Sequence, residues 1–346
     1  MILLRPRHRL PRRPLPLVIA ALAALPALPA AALDETRPEV RSFIEEMASR
    51  NGFDAAALAR TFAQVEARPS IVAAMTRPAE KTMTWSEYRA RFITDRRISR
   101  GIETSRQQAE ALGRAAASGV PQNVMLAIVG VETFYGEKVG THRVIDALAT
   151  LAFDYPPRSR FFSGELEQYL VMTREESLDP LVPLGSYAGA MGIPQFMPSS
   201  FRNYAVDGDG DGHRDLWNDW ADVFASVGNY LKVHGWRTGE PVMCPADVTG
   251  ANLDGVVTDK VELSETVKSL QDRGVRFTTS LPPEAPAVLV QLAGQGGPEY
   301  RVGFTNYFVI TRYNRSVLYA SAVNDLAEAI GSARAQPTES NFSITQ

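Results

Sequence analysis

Two groups of acidic residues in this sequence have types and spacings suited to chemistry. The first is a single glutamate, Glu132, in Val131-Glu132-Thr133-Phe134-Tyr135-Gly136. It follows an almost wholly apolar run from Val124 and precedes two aromatic rings. Apolar surroundings favour the neutral form of a carboxyl group, and the C-terminal end of a helix disfavours negative charge. Both effects raise the pKa, as a general acid working near neutral pH requires. The competing reading is a glutamate on a solvated helix end, or one paired with an arginine. Glu137, five residues on, is the rival acid.

The second group is Asp207-Gly208-Asp209-Gly210-Asp211-Gly212-His213-Arg214-Asp215. Acids at positions 1, 3 and 5 with glycine at 6 open an EF-hand calcium loop. Asp207, Asp209 and Asp211 would supply carboxylate oxygens, and His213 its backbone carbonyl. Position 12 departs from the pattern, with Asn218 in place of a bidentate glutamate. Magnesium suits flexible all-protein cages poorly, so Ca²⁺ in a structural role is expected. The alternative is a bare acidic turn. No second loop suggests a calcium sensor, and no pattern calls for an organic cofactor.

Between these groups lies a neutral stretch. Residues 185–204 contain no acid, and their first charged residue is Arg202. Ser186 and Gln195 offer hydrogen bonds without competing charge, and small neighbours permit close backbone approach. That suits a groove for neutral sugars. A tight turn between packed helices would read the same way.

The elements that must position these residues are chiefly helical. Val40, Ile44 and Met47, then Leu58, Phe62 and Val65, then Trp85, Tyr88 and Phe92 recur at one-face spacing. Pro121 is expected at the first position of a helix ending at a Gly136 cap. Further helices are expected over 164–176, 222–234 and 316–330, with strands at 288–292, 300–304 and 307–311. The fold class is therefore mainly α (α+β). The chain divides into 1–32, 33–101 (helical), 102–236 (helical, with the acid-rich loop), 237–305 (small, β-containing), 306–331 (a strand and a helix) and a disordered tail, 332–346.

Residues 1–32 read as a signal peptide. Five arginines precede an apolar stretch from Leu15 to Leu28, and Ala30-Ala31-Ala32 offers a cleavage site before Leu33. The expected location is the periplasm. No cysteine lies near the cleavage site, so no lipid anchor is expected there. The only cysteine, Cys244, can form no intramolecular disulfide and reads as a small buried residue. A net charge of −3 argues against a nucleic-acid partner.

The linked motifs resemble one family. Glu132-Thr133 with Gly136, the segment Ser186 to Gly192, Gln195-Phe196-Met197-Pro198-Ser199-Ser200, and Asn229-Tyr230 before His234-Gly235-Trp236 are similar to the B-type lytic murein transglycosylases. The resemblance continues at Asp146-Ala147-Leu148, Asp154-Tyr155-Pro156 and Thr311-Arg312-Tyr313-Asn314. It implies a lysozyme-like helical core acting on peptidoglycan glycan strands, with Glu132 as the sole acid and base and a 1,6-anhydromuramoyl product. Ser186 and Gln195 would orient acetamido and hydroxyl groups. Met191 and Tyr313 would contact substrate, Tyr230 would position Glu132 or the sugar, and Asp222 would close a lengthened calcium loop. Ordinary glycosidases use two carboxylates, and none is evident here beside Glu132. A hydrolytic muramidase and a non-catalytic wall-binding protein are the alternatives. A monomer is expected, with wall-synthesis or secretion machinery as the class of protein partner left open.

Overall fold

A computed structural model describes residues 31–76, 83–257 and 261–335. The expected signal segment up to residue 30, and the tail from 336, lie outside the described residues. Strand β1 (Ala31–Ala32) pairs antiparallel with β2 (Glu66–Ala67), flanking helices α1 (Pro38–Asn51) and α2 (Ala55–Phe62). Proline opens α1, while Asp54 caps α2 by accepting a 2.7 Å bond from the Ala57 N–H. Helix α3 (Pro69–Thr76) follows, then α4 (Trp85–Phe92), begun by a Thr84/Glu87 capping box. Trp85, Tyr88 and Phe92 are buried along one face of α4 as their spacing predicts.

Helix α5 (Asp95–Gln107) runs straight through the boundary expected at 101/102. Its Gly101 packs against Tyr135, so the segments on either side share one core. Helix α6 (Ala109–Ala115) leads to α7 (Gln122–Thr133), which Pro121 caps from outside its first turn. Nearly every side chain of α7 from Val124 to Val131 is buried. Strand β3 (His142–Arg143), helices α8 (Val144–Asp154) and α9 (Ser159–Glu175), strand β4 (Leu184–Gly185, paired with β3) and helices α10 (Pro198–Tyr204) and α11 (Trp220–Val233) complete this part.

The remainder holds a four-stranded antiparallel sheet. Strands β5 (Met243–Ala246), β6 (Glu265–Thr266), β7 (Pro286–Gly294) and β8 (Gly297–Gly303) lie in the order β5-β8-β7-β6, with the short helix α12 (Val267–Asp272) following β6. Alternation along β7 separates two cores. Val288, Val290 and Leu292 face the main core, which extends from Leu33 to Ile330; Ala287 and Leu289 face a smaller one with Val302 and Phe304.

Residues 307–311, expected as a strand, belong instead to helix α13 (Thr305–Tyr313). A short run of aromatic and β-branched residues carries no decisive period. Here Asn306 settles it: its amide donates to the Arg237 and Glu240 carbonyls and accepts from the Arg237 N–H, pinning the first turn. Helix α14 (Val317–Ala335) is the last element among the described residues and covers residues 332–335, which were expected in the tail.

Candidate active site

Glu132 occupies the last turn of α7 and is half-buried. The helix stops before the expected Gly136 cap. Phe134 (φ 53°) and Tyr135 (φ 58°) both adopt the left-handed conformation, ahead of Gly136 at 86°. Two successive non-glycine residues there cost about 1 kcal/mol or more each, and such strain gathers at functional sites. The fold accommodates the Tyr135 ring by leaving room at two glycines. A Cβ on Gly101 or Gly130 would come within 2.5 or 2.6 Å of its hydroxyl.

The Glu132 Oε1 accepts a 2.6 Å hydrogen bond from the Tyr319 hydroxyl, supplied by α14 from 187 positions away. Tyr319 is only 2% exposed. Burial, then the adjacent Glu132 charge, hold its hydroxyl well above the usual tyrosine range, so it remains a donor. The Tyr313 ring stacks on Tyr319 at 6.5 Å, and its own hydroxyl donates to the Pro194 carbonyl at 2.7 Å. Burial and then Glu132 also raise Tyr313. A recess of about 320 Å³ opens beside Glu132, walled by Tyr88 and Phe92 of α4, Asn314 and Tyr319. Glu132 is the only carboxylate among its described lining residues. Glu137 lies outside it, in exposed pairs with Arg96 (3.5 Å) and Arg100 (3.6 Å).

The neutral loop is folded onto this helix end. The Thr133 hydroxyl donates to the Ile193 carbonyl at 2.9 Å, and the Gln195 amide donates to the Val139 and Gly192 carbonyls at 3.1 and 2.8 Å. Gln195 is itself left-handed (φ 52°). The Ser186 hydroxyl oxygen accepts from the Ala188 and Ala190 N–H groups, closing the loop on itself. The structure thus gathers Glu132, Gln195, Tyr313 and the Ser186 loop around one region.

Two expected residues are placed differently. Met191 is fully buried, its backbone bridging Gly185 and Phe196, so its side chain fills core rather than groove. Tyr230 donates to the Arg312 carbonyl at 2.7 Å, not to Glu132. Its ring is packed by His234, Tyr313, Tyr204 and Phe196, which makes it a support for Tyr313. Tyr319, which does reach Glu132, escaped the sequence reading because an aromatic in an amphipathic helix reads as core.

The acid-rich loop precedes α11. Oxygens of Asp207, Asp209 and Asp211 can approach within 4.8 Å of one another, and those of Asp209, Asp219 and Asp222 form an overlapping group. Hard oxygen donors in this number fit Ca²⁺. Asp219 was not expected; it also caps α11. The Asp222 carboxylate accepts from the Gly208 and Asp215 N–H groups, tying loop to helix. Burial, reinforced by Asp219 and Asp207, pushes Asp222 up to about 6 despite those hydrogen bonds, a strain that a cation would relieve. His213 is exposed, with its N–H donating to Asp211, which leaves its carbonyl as the contribution on offer. Asn218 turns instead to Asp215. The loop also braces the neutral loop, through Trp217 Nε1 to the Leu184 carbonyl and Ile193 N–H to the Leu216 carbonyl, both 2.8 Å.

The chain is similar to known proteins in sequence and fold. Residues 35–328 match the family described as Transglycosylase SLT domain. The chain is 40% identical over 309 residues to the membrane-bound lytic murein transglycosylase B of Escherichia coli strain K12, covering 86% of this chain and 84% of that protein. The crystal structure of the soluble lytic transglycosylase SltB1 from Pseudomonas aeruginosa superposes with a TM-score of 0.82 at 47% identity, over 86% of this chain and all of that one. The Escherichia coli lytic transglycosylase Slt35, solved in complex with calcium, gives 0.80 at 39% identity, over 89% of this chain and 97% of that one.

Proposed function

The chain belongs to the Transglycosylase SLT domain family, as a lytic transglycosylase acting on peptidoglycan, and from that premise we propose that Glu132 performs both proton transfers of the reaction. The observation that carries this reading is the recess geometry: one carboxylate, held by a buried tyrosine, with no second acid among the described lining residues.

In the proposed sequence the Glu132 carboxyl gives its proton to the oxygen joining N-acetylmuramic acid to N-acetylglucosamine, and the C1–O bond breaks. The carbonyl oxygen of the muramoyl acetamido group bonds to C1 and takes the developing charge. The Glu132 carboxylate then removes the C6 hydroxyl proton, O6 attacks C1, and the acetamido group is released. No water is consumed, and the new end is a 1,6-anhydromuramoyl ring. Substrate-assisted cleavage of this kind dispenses with the second carboxylate of ordinary glycosidases. Tyr319 positions the Glu132 carboxyl through their short hydrogen bond. Ser186, Gln195 and Tyr313 shape the wall that meets the sugar.

Asp207, Asp209, Asp211, Asp219 and Asp222, with the His213 carbonyl, would hold Ca²⁺ as a structural ion bracing the neutral loop. Export through a cleaved leader would place the enzyme in the periplasm beside its substrate. No helix of the described residues is long and apolar enough to cross a membrane. Mass spectrometry of digested sacculi tests the chemistry. Muropeptides lighter by one water than hydrolysis products are expected; reducing muramoyl ends would overturn the transglycosylation step.

A further inference from the structure

Tyr319 meets Glu132 only if α14 lies at the right height along its axis, and an ion cluster on another face of that helix holds it there. Asp325 follows Tyr319 by six positions on α14, about 9 Å along the axis and on a different face. Its carboxylate is 8% exposed and accepts from arginines of two other elements. Arg89 of α4 donates through Nε at 2.8 Å, and Arg301 of β8 donates through both Nη atoms, from Nη2 at 3.2 Å. Arg301 also lies over the Trp85 ring at 5.1 Å, while the Trp85 Nε1 donates to Glu299 of β8 at 3.2 Å. Trp85 and Arg89 belong to α4, the helix whose Tyr88 and Phe92 wall the recess. One strand of the sheet thus fastens both α4 and α14, outside the recess itself.

We infer that Asp325, held by Arg89 and Arg301, is a positioning residue for Glu132: it fixes α14 at the height where the Tyr319 hydroxyl reaches the carboxyl. The inference rests on the assignment of Glu132 above. Around the cluster α14 buries mostly small and aliphatic side chains, Ala320, Ala322, Val323, Leu326 and Ala327. Apolar packing is non-directional and resists sliding weakly, whereas a guanidinium on a carboxylate has a set geometry. The Tyr319–Glu132 bond is 2.6 Å long, and a shift of α14 by about 1 Å would end it. The sheet thereby gains a part in the reaction, although none of its residues is among the described residues lining the recess.

Removing one partner of a buried ion cluster also costs stability, so the test reads how turnover is lost and not only whether it is. Turnover of sacculi is measured across pH for D325N, Y319F and D325N/Y319F, with E132Q as the control for the premise. In D325N kcat should fall about tenfold or more with KM little altered, since a misplacement of about 1 Å can cost up to about 10²-fold. Its pH profile should follow that of Y319F. Within the Y319F background D325N should lower kcat by less than about twofold, because the bond it acts through is already gone. R89Q removes the more exposed arm and leaves Arg301 on Asp325, so it carries the test if D325N does not fold. It should show the same pattern with a smaller loss. Equal fractional losses in both backgrounds would overturn the inference, as would the parent's pH profile on a folded fraction reduced to match, read by circular dichroism. Turnover retained by E132Q would instead remove the premise, and the inference with it.

Discussion

Glu132 and the acid-rich loop satisfy their carboxylates in opposite ways. At Asp207, three successive backbone N–H groups within five residues supply the hydrogen bonds, and they hold its carboxyl below the usual range. Glu132 takes its hydrogen bond from a side chain 187 residues away. The first arrangement is a local turn built from backbone donors within the loop itself. The second exists only once α7, α14 and α4 have packed together. Local motifs thus build the acid-rich loop, whereas tertiary packing builds the surroundings of Glu132.

The sharpest way to break this comparison is E132Q. It should lower turnover of sacculi by roughly 10³-fold or more, since general acid catalysis alone contributes up to about 10⁴. Because the change is nearly isosteric, the melting temperature should hold; retained turnover would mean that another acid works. Y319F comes next. Loss of a hydrogen bond to an ionisable group is worth about 1.5–3 kcal/mol, so kcat should fall about 10- to 100-fold with KM little altered. A change confined to KM would assign Tyr319 to sugar binding instead.

D207A probes the other side. In calcium it should melt several degrees below the parent chain, since a ligand at a hundredfold excess over its Kd contributes about 2.7 kcal/mol. In chelator only the loss of its three backbone hydrogen bonds should remain, so the gap should narrow, and the same gap with and without calcium would remove the ion from the account. The smallest effect belongs to E137Q. Its ion pairs are exposed, and such pairs are worth about 0–1 kcal/mol. Activity within about twofold of the parent is expected, and a large loss would return Glu137 to the chemistry.

The same contrast explains what could be read in the chain. The aspartates at alternate positions, the apolar helix before Glu132 and the uncharged loop are local patterns, and each names its residues directly. Tyr319 and Tyr230 are a different matter. Both are aromatics at helical spacing, and only packing determines that one hydroxyl reaches Glu132 while the other reaches the Arg312 carbonyl. Met191 was misplaced for a related reason: a motif records that a residue matters without recording which way it faces. The helix at 305–313 was hidden because Tyr307 to Thr311 suits strand and helix alike, and Asn306 acts through carbonyls nearly seventy residues earlier.

The origin of Tyr319 in the final helix also bears on timing. A chain made from its N-terminus presents Glu132 long before α14 emerges, and until then the carboxyl has neither its Tyr319 donor nor that wall of its recess. If Glu132 is the working acid, a chain lacking α14 should be inert toward peptidoglycan. On that reading, an enzyme that cuts peptidoglycan would become competent only when α14 has docked.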